Sequence, residues 1–388
     1  METVAVIFGG RSTEHDVSII TAIRSIIKPL ELTKHFRVEA VYVSKDGSWY
    51  WDEKLKDITL YTSGDITGFL NKHHTLNVQF DGGLTFFKTS GITGRKTTQK
   101  IDIVFPSMHG THGEDGALMG VLDMANVPYV GCGVRASAIA MDKVLAKQVV
   151  QANGLPVVPF VYFTKDQVDT EPLKCLKIIT EKLHYPLFIK PAHLGSSIGI
   201  SHASNDKELQ NGLEVAVHYD DKVIVEEAVH NLIEVTLPIM GNNEPKPALL
   251  EQPLTSSEDF FDFDTKYIGG KKGGSKKGGV KGAQGYSQIP AKLPKQLEKQ
   301  AFDLGLAVYR ALECSGIARI DMLIDEKTGV VYFNEANPLP GSLYAHNWNR
   351  AGVSNVELVS ELIRYGKERF AIEQQLNTTF KTSFLQQF

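Results

Sequence analysis

The sequence predicts an α/β protein whose amino-terminal part contains a mostly parallel sheet. Apolar runs typical of buried strands alternate with helical patterns over the first third of the 388 residues. This alternation favours parallel strands that are joined by helices. A first strand over 4–8 ends in Gly9 and Gly10 and precedes a helical pattern over 17–27, and a second strand over 101–105 also ends in a glycine-bearing loop. Ligands of open α/β sheets bind at the carboxyl ends of strands, so both loops are candidate binding elements.

The rest of the chain predicts further structural units, because 388 residues are too many for one ordinary hydrophobic core. A break near 128–133 precedes a helical pattern over 136–153, which ends at Gly154. From residue 223 onward, strand patterns lead to a long loop, a helix over 295–314, a hairpin and a final helix. We therefore expect three domains: an amino-terminal α/β domain over 1–133, a central domain over 134–222 and a carboxyl-terminal domain over 223–388.

The predicted hairpin near the carboxyl end is the most informative segment. If residues 325–329 form a five-residue loop, Ile324 pairs with Val330 and Asp321 lies opposite Phe333. Side chains alternate between the two faces of a strand, so four polar residues then share one face. These are Arg319, Asp321, Glu335 and Asn337. Such a face suits divalent cations bound to phosphates, because Mg²⁺ prefers oxygen ligands; a solvated face with a salt bridge is the alternative.

The composition is that of a globular protein and narrows the possible partners. Hydrophobic residues make up 42% and charged residues 22% of the chain. With 41 Lys and Arg against 45 Asp and Glu, the overall charge gives no reason to expect a nucleic acid as partner. The scattered Cys132, Cys175 and Cys314 argue against a zinc site and favour a reducing compartment. The amino terminus has no basic region and no long apolar span, so we expect a cytoplasmic protein without a membrane segment.

A glycine–lysine segment over 269–282 is the one low-complexity stretch of the chain. Glycine and lysine cannot form a packed core, so the segment predicts a loop. It is either a solvated surface loop or a lid over a polyphosphate. A contact with single-stranded nucleic acid is disfavoured, because the segment has no aromatic residue to stack on bases.

Two further segments are candidates for binding a nucleotide. The glycine-rich run Gly195-Ser-Ser-Ile-Gly199 follows Lys190 by five residues, and its backbone N–H groups could approach phosphate oxygens. Glu226 and Glu227 end an apolar strand and could bind an adenine edge through their backbone, while Glu234 could reach a ribose hydroxyl. Taken singly, these acids are equally compatible with ordinary charges at strand ends.

Six motifs follow one another along the chain. They are Gly9-Gly10-x-Ser12-x-Glu14-x-x-Val17-Ser18, His109-Gly-x-x-Gly-Glu-Asp-Gly, Ala136-Ser137-Ala-x-x-Met-Asp-Lys143, Lys190-Pro191 with Gly195-Ser-Ser-x-Gly, Phe261-Asp-Phe-Asp-x-Lys266-Tyr267, and Arg319-x-Asp321 with Asn334-Glu-x-Asn337-x-x-Pro-Gly341. In sequence and order they resemble the D-alanine–D-alanine ligase family, over about residues 4 to 365. The resemblance implies an ATP-grasp fold with an amino-terminal Rossmann-like domain, and ATP bound between the two later domains.

The resemblance also implies a reaction. The carboxylate of a first D-alanine would attack the γ-phosphate of ATP to give an acyl phosphate. The amine of a second D-alanine would then displace phosphate, for the synthesis of peptidoglycan precursors. Phosphoryl transfer depends mainly on charge neutralisation, which two Mg²⁺ (or Mn²⁺) ions would supply. A homodimer is the default assembly in this family.

The roles that the resemblance implies fall into four groups. Glu14, Ser196, Tyr267, Arg319 and Gly341 would be catalytic, with Ser196 and Tyr267 joining a lid to Glu14 and with Arg319 and Gly341 stabilising the oxyanion. Substrates would be bound by Glu14, His109, Ser342, His346 and Asn347. ATP would be bound by Lys143, Lys190, Ser196, Glu226, Glu227, Val229, Glu234, Lys266 and Asn334. The metal ions would be bound by Asp321, Glu335 and Asn337.

Two departures from the family pattern leave the acceptor open. The loop after Tyr267 is longer than usual, because it contains the glycine–lysine segment. After Gly341, His346 and Asn347 occupy roughly the place where the family binds the carboxylate of the second amino acid. The acceptor could therefore be D-serine, D-lactate or a larger molecule, and a protonated imidazole could bind its carboxylate. His346 is equally compatible with a packing role.

A nucleotide-binding regulator without catalytic activity is the alternative of a different class. A binder of this kind has no need for the complete set Asp321, Glu335 and Asn337, and the sequence retains that set. We therefore expect an enzyme.

Overall fold

The computed structural model describes residues 1–90, 95–254, 287–379 and 382–388. It confirms the predicted α/β class, with a mostly parallel sheet near the amino terminus and antiparallel sheets after it. The glycine–lysine segment, Lys266 and Tyr267 lie outside the described residues. Every helix within the described ranges is too short or too polar to cross a membrane.

The amino-terminal part contains seven strands: β1 (Glu2–Gly9), β2 (Phe36–Val43), β3 (Trp49–Trp51), β4 (Asn77–Phe80), β5 (Leu84–Ser90), β6 (Arg95–Ile101) and β7 (Ile103–Pro106). Its main sheet has the order β3-β2-β1-β7, and the central β1 is parallel to both β2 and β7. Val4 pairs with Val38 on one side and with Ile103 on the other, so the centre of the sheet is apolar. A smaller antiparallel sheet contains β4, β5 and β6.

The predicted strand over 101–105 is divided between two sheets. β6 ends at Ile101 and β7 begins at Ile103. Asp102 lies between them, and its Oδ2 accepts the backbone N–H of Thr3 at 2.8 Å. Its side chain therefore replaces a regular sheet partner at the point where the chain changes sheets.

The first helix is longer than the predicted span of 17–27 and changes its geometry along its length. It consists of α1 (His15–Ile20), a π-helical segment (Thr21–Ile27) and α2 (Lys28–Thr33). Its apolar face is fully buried against the parallel sheet, which explains the helical pattern in the sequence. Shorter helices follow at α3 (Thr59–Thr62), α4 (Ile66–Leu70) and α5 (Ala117–Met124).

The single helix that the sequence predicted over 136–153 is two helices, α6 (Val134–Ala140) and α7 (Lys143–Ala152). Asp142 adopts an extended backbone conformation between them. Its Oδ1 accepts the N–H groups of Val144 and Leu145 at 2.9 and 3.1 Å, so it caps α7. The periodicity continues across the break because both helices pack on the same core, which they share with the carboxyl-terminal sheet.

The central sheet contains β8 (Phe160–Thr164), β9 (Leu187–Pro191), β10 (Ser201–Ala203) and β11 (Lys222–Glu227), in the order β10-β9-β11-β8. Three helices belong to this region: α8 (Lys165–Thr170), α9 (Pro172–Lys182) and α10 (Asp206–Tyr219). The pairing of β9 with β11 brings Lys190 beside Ile224 and Phe188 beside Glu226. The candidate nucleotide-binding residues of these two strands are therefore neighbours.

The carboxyl-terminal part contains β12 (Leu232–Gly241), β13 (Lys246–Pro247), β14 (Gln252–Pro253), β15 (Ser287–Gln288), β16 (Gly316–Asp325) and β17 (Val330–Asn337). The order of its main sheet is β13-β12-β16-β17. The helices are α11 (Lys295–Ala311), α12 (Ala345–Arg350) and α13 (Asn355–Glu373). α11 ends before the predicted residue 314, because Glu313 adopts a left-handed backbone with φ of 54°. The three-domain boundaries stay a prediction.

Candidate active site

The hairpin of β16 and β17 brings its four polar residues together, but in a register that differs from the predicted one. Asp325 pairs with Val330, so the loop has four residues rather than five. The pairing then shifts at Asp321, which lies opposite Glu335 instead of Phe333. The predicted register is therefore wrong. The shift leaves Asn334 as the extra residue of a β-bulge.

The bulge determines which way Glu335 faces. Without it, the register of the hairpin end would place Ile320, a core residue, opposite Glu335. With it, Glu335 lies opposite Asp321, and Asn337 lies opposite Arg319. The four polar side chains consequently share one half-buried face, as the sequence predicted.

Asp321 lies at the centre of this polar face. Arg319 donates two hydrogen bonds to it, Nε to Oδ1 at 2.7 Å and Nη2 to Oδ2 at 2.6 Å, and Asn337 Nδ2 donates a third at 3.2 Å. Burial alone would lower the pKa of the Arg319 guanidinium, but the charge of Asp321 raises it above its ordinary value. Arg319 is therefore a permanent cation on this face, and Asp321 is its ion-pair partner.

Lys143 lies beside the polar face from the first residue of α7. Its Nζ is 3.5 Å from Glu335 Oε2 and donates a hydrogen bond to the carbonyl of Leu194 at 2.7 Å. Its backbone N–H donates to Ala192 at 3.0 Å. The cap by Asp142 fixes this end of the helix, so Lys143 is positioned between the hairpin and the glycine-rich run.

Three charged side chains, Glu226, Lys147 and Lys190, form a cluster near Lys143. Glu226 is 2% exposed, and its two carboxylate oxygens lie 2.5 Å from Lys190 Nζ and 2.8 Å from Lys147 Nζ. Burial would raise the pKa of Glu226, but the two lysines lower it to about 2. Lys147 also donates to the carbonyl of Phe333 in β17 at 3.3 Å. The Glu226 side chain thus positions Lys190, a role that the sequence analysis did not assign to it.

Lys147 is a site residue that the sequence analysis missed. It is 1% exposed and lies one helical turn after Lys143, on the same side of α7. One signal in the sequence could have revealed it. Lys147 is three residues from both Val144 and Val150, so it lies on the apolar, buried face of the helix, where a lysine needs a partner. The other residues predicted to contact ATP from this region are more accessible: Glu227 accepts from His184 at 2.9 Å, while Val229 and Glu234 are half-buried.

The glycine-rich run folds over the amino-terminal domain. Ser196 and Ser197 both have a left-handed backbone, with φ of 55° and 60°. Ser196 Oγ donates a short hydrogen bond to Glu14 Oε1, as the sequence predicted from widely separated motifs. A Cβ at Gly195 would lie 3.4 Å from the same carboxylate oxygen, so the glycine-rich run passes Glu14 at van der Waals distance.

The loop after β7 contributes a buried histidine near Glu14. His109 Nδ1 is 2.9 Å from Glu114 Oε1, and His109 Nε2 is 3.1 Å from Thr21 Oγ1. Burial lowers the pKa of His109, but the hydrogen bond and charge of Glu114 raise it above its ordinary value, and Glu14 adds to that rise. Glu114 and Thr21 were not assigned roles from the sequence, although Glu114 belongs to the quoted motif of His109.

The segment after β17 has an unusual backbone. Ser342, Leu343 and Tyr344 are consecutive non-glycine residues with φ of 52°, 53° and 52°. Arg319 lies over the Tyr344 ring at 5.2 Å, and a Cβ at Gly341 would lie 3.8 Å from Val17 of α1. This segment therefore joins the polar face to the amino-terminal helix.

His346 and Asn347 differ in their suitability as substrate contacts. His346 Nε2 is 2.9 Å from Glu251 Oε2, and the His346 side chain is 23% exposed. Asn347 is fully buried; its Oδ1 accepts from the N–H of Leu249 at 3.1 Å, and its Nδ2 donates to the Leu249 carbonyl at 2.9 Å. Its amide therefore attaches α12 to Leu249, and the predicted substrate contact of Asn347 stays a prediction.

Two family models match the chain, the D-ala D-ala ligase N-terminus over residues 3–132 and the D-ala D-ala ligase C-terminus over 149–364. The chain belongs to the D-alanine–D-alanine ligase family. It is 36% identical to the D-alanine–D-alanine ligase of Acetivibrio thermocellus, over 95% of this chain and 96% of that one. It is 38% identical to the D-alanine–D-alanine ligase of Chlorobium phaeovibrioides, over 94% and 97%.

Solved structures of this ligase family have the same fold. The D-alanine–D-alanine ligase of Coxiella burnetii aligns with a TM-score of 0.75 at 26% identity, covering 97% of this chain and 98% of that one. The VanG D-Ala:D-Ser ligase of Enterococcus faecalis aligns with a TM-score of 0.75 at 30% identity, covering 94% and 99%. The predicted ATP-grasp fold of this family member is confirmed.

Proposed function

We propose that this ligase joins two D-alanine molecules into D-alanyl–D-alanine, with hydrolysis of ATP to ADP and phosphate. Membership of the family supports the reaction class. The observation that carries the proposal is the polar face of the hairpin, where Arg319, Asp321, Glu335 and Asn337 lie together beside Lys143. These groups combine a permanent cation with oxygen ligands, which is what phosphoryl transfer requires.

The polar face fits the divalent ions that the family implies. Asp321, Glu335 and Asn337 offer two carboxylates and an amide oxygen, a donor set that Mg²⁺ or Mn²⁺ accepts. Two such ions, when bound, would neutralise the charge of the ATP phosphates. Asp321 already accepts three hydrogen bonds, so its position is fixed before any ion binds.

The first half-reaction takes place beside the lysines. The carboxylate of the donor D-alanine attacks the γ-phosphorus of ATP, the bond to the β,γ-bridging oxygen breaks, and an acyl phosphate and ADP form. Lys143 and Lys190 hold the phosphate oxygens, and Glu226 keeps Lys190 in place. Glu14 binds the donor ammonium, while the Ser196 hydrogen bond to Glu14 covers the site and excludes water that would hydrolyse the acyl phosphate.

The second half-reaction takes place beside Arg319. The amine of the acceptor attacks the acyl carbon, phosphate leaves with the bonding electrons, and the proton that the amine loses as the amide forms passes to the leaving phosphate. Arg319 and the backbone N–H of Gly341 stabilise the tetrahedral oxyanion, an effect worth about 3 kcal/mol per donor. In this proposal, His109 and Ser342 complete the two amino-acid sites, Lys266 binds the transferring phosphate of ATP, and Tyr267 belongs to the lid.

A different acceptor is the second candidate, and His346 is the observation that favours it. The imidazole is paired with Glu251, and its ring lies 4.8 Å from the Tyr344 ring, which Arg319 also contacts. A hydroxyl-bearing acceptor such as D-serine could bind this pair. The D-Ala:D-Ser ligase named above is similar to the chain over most of its length.

Phosphate release with ATP, Mg²⁺ and D-alanine, followed by mass spectrometry of the product, tests the proposal. A product with the mass of D-alanyl–D-alanine supports it. Turnover only after D-serine or D-lactate is added would move the assignment to the second candidate. No ATP turnover with any of these acceptors would instead favour the nucleotide-binding regulator.

The setting of the enzyme is part of the proposal. We infer a cytoplasmic homodimer of three domains, over 1–133, 134–222 and 223–388, that supplies a dipeptide for peptidoglycan synthesis.

A further inference from the structure

A buried threonine connects the two amino-acid sites. Thr21 is fully buried, and its Oγ1 accepts the backbone N–H of Ser342 at 2.9 Å. The same Oγ1 is 3.1 Å from His109 Nε2, whose other ring nitrogen contacts Glu114 at 2.9 Å. A continuous hydrogen-bonded chain therefore runs from Glu114 through His109 and Thr21 to Ser342, and it joins residues of three separate segments.

The acceptor end of this chain is a strained turn. Three successive non-glycine residues, Ser342 to Tyr344, adopt the left-handed conformation. Such a conformation is unfavourable for a non-glycine residue and persists only where the surrounding structure holds it in place. Leu343 is fully buried and donates its N–H to Pro340 at 2.8 Å, but the N–H of Ser342, next to Gly341, is bound by Thr21. The Thr21 hydroxyl therefore restrains the residue that follows the oxyanion-binding N–H.

The donor end of the chain is equally buried. His109 is 3% and Glu114 is 4% exposed, and the charges of Glu14 and Arg319 both act on the His109 ring. An unpaired imidazole nitrogen at such a depth would be costly, and Thr21 Oγ1 is the partner of Nε2. The hydroxyl thereby determines the orientation of His109 beside the donor carboxylate and ammonium.

The helix around Thr21 is irregular at this residue. The π-helical segment Thr21–Ile27 begins here, between two α-helical stretches. π-Helical turns are rare and occur frequently at functional sites, because they alter which side chains face a partner. The change of geometry at Thr21 is an independent indication that its side-chain position matters.

We propose that Thr21 is a positioning residue that couples the donor site to the acceptor segment 341–344 of this ligase. The inference rests on the proposed function, since it takes His109 as part of the donor site and the N–H of Gly341 as part of the oxyanion site. Thr21 touches neither reacting substrate; it acts through His109 and Ser342. Loss of the hydroxyl would leave the fold and the ATP site in place and loosen the acceptor segment.

The variant Thr21→Val tests this coupling, because valine has the shape of threonine without the hydroxyl. We expect its KM for the acceptor D-alanine to rise roughly tenfold, as the loss of one or two buried hydrogen bonds predicts, and its kcat to fall. The KM for ATP should stay within about twofold of the wild type, since Lys143 and Lys190 are not part of the hydrogen-bonded series from Glu114 to Ser342. Thr21→Ser, which keeps the hydroxyl, should restore wild-type kinetics.

Controls separate this role from general destabilisation. Ser25→Ala removes another largely buried hydroxyl from the same π-helical segment, and it should leave both KM values unchanged. If Thr21→Val lowers the melting temperature, the kinetics are measured again with Thr21→Ala, at a temperature below the melting transition of that variant. If Thr21→Val has the kinetics of the wild type, or if all of its KM values change equally, the proposed coupling is wrong while the proposed function still stands. A wild-type protein without turnover overturns the proposed function as well.

Discussion

Glu335 is the residue on the polar face whose orientation depends most on local geometry. It faces Asp321 only because of the bulge at Asn334, and its carboxylate lies 3.5 Å from Lys143. We expect Glu335→Ala to lower ADP release by roughly a hundredfold or more, because a ligand for the metal ions would be lost. The coupled assay for ADP measures this.

The control for Glu335 is Glu326→Ala in the loop of the same hairpin, where the side chain is exposed. It should leave both turnover and melting temperature unchanged. Normal ADP release in Glu335→Ala would contradict the assignment of the metal ligands.

Lys147 is a buried charge whose partner lies in another strand. Its removal in Lys147→Met would leave Glu226 with Lys190 as its remaining cation and would break the contact with the Phe333 carbonyl. We expect the free energy of unfolding to fall by about 3 kcal/mol, the lower end for a broken buried ion pair. Urea unfolding measures the loss.

A double-mutant cycle with Glu226→Gln checks the cause. The losses of unfolding free energy in the two single variants should add up to more than the loss in the double variant, since the two groups interact directly. Additive losses would mean that Lys147 stabilises the protein through its packing alone.

At the scale of elements, a histidine joins the start of α7 to the loop after α10. His193 Nδ1 is 2.8 Å from Asp220 Oδ1, and its Nε2 is 3.3 Å from Asp142 Oδ2, which also contacts Lys222 at 2.5 Å. The hydrogen bonds that the His193 ring donates to Asp142 and Asp220 raise its pKa to about 9. Protonated His193 therefore fastens the cap of the helix that presents Lys143.

This pKa gives a stability that depends on pH. Because the pKa in the folded state lies above the ordinary value of 6.5, the contribution of His193 is complete below about pH 6.5. It is lost as the pH rises through 9. The difference in unfolding free energy between wild type and His193→Gln should therefore shrink from pH 6 to pH 9.5. A difference that stays constant over this range would show that the charge of His193 is not involved.

For the whole molecule, Arg369 of α13 connects the amino-terminal and carboxyl-terminal parts. Its guanidinium donates to the carbonyls of Gly131 at 2.7 Å and Tyr129 at 3.2 Å, and to Ser315 Oγ at 3.2 Å. It also lies 4.1 Å from the centre of the Tyr129 ring. Because these charged hydrogen bonds are largely buried, we expect them to hold the amino-terminal and carboxyl-terminal parts together.

Arg369→Ala should lower the free energy of unfolding by roughly 2–3 kcal/mol, as the loss of charged hydrogen bonds predicts. Arg364, on the same helix, is the matched control, because its side chain is 52% exposed and pairs with Glu361 and Glu368. Arg364→Ala should cost less than about 1 kcal/mol. Equal effects of the two substitutions in urea unfolding would contradict the role of Arg369.

The sequence by itself determined the α/β class and the order of the motifs. Continuous and periodic patterns of apolar residues follow directly from burial, so the central strand and the helix after it were predictable. The pairing of Ser196 with Glu14 and the shared face of the hairpin also followed from the motifs and their family resemblance.

Only the tertiary structure decided the contacts between distant segments. The bulge at Asn334 and the break at Asp142 are local departures from regular geometry, which periodicity cannot reveal. Lys147 and Thr21 are polar residues whose partners come from other parts of the chain. A side chain of this kind shows its role only when folding places its partner within hydrogen-bond distance, because burial without that partner would be unfavourable.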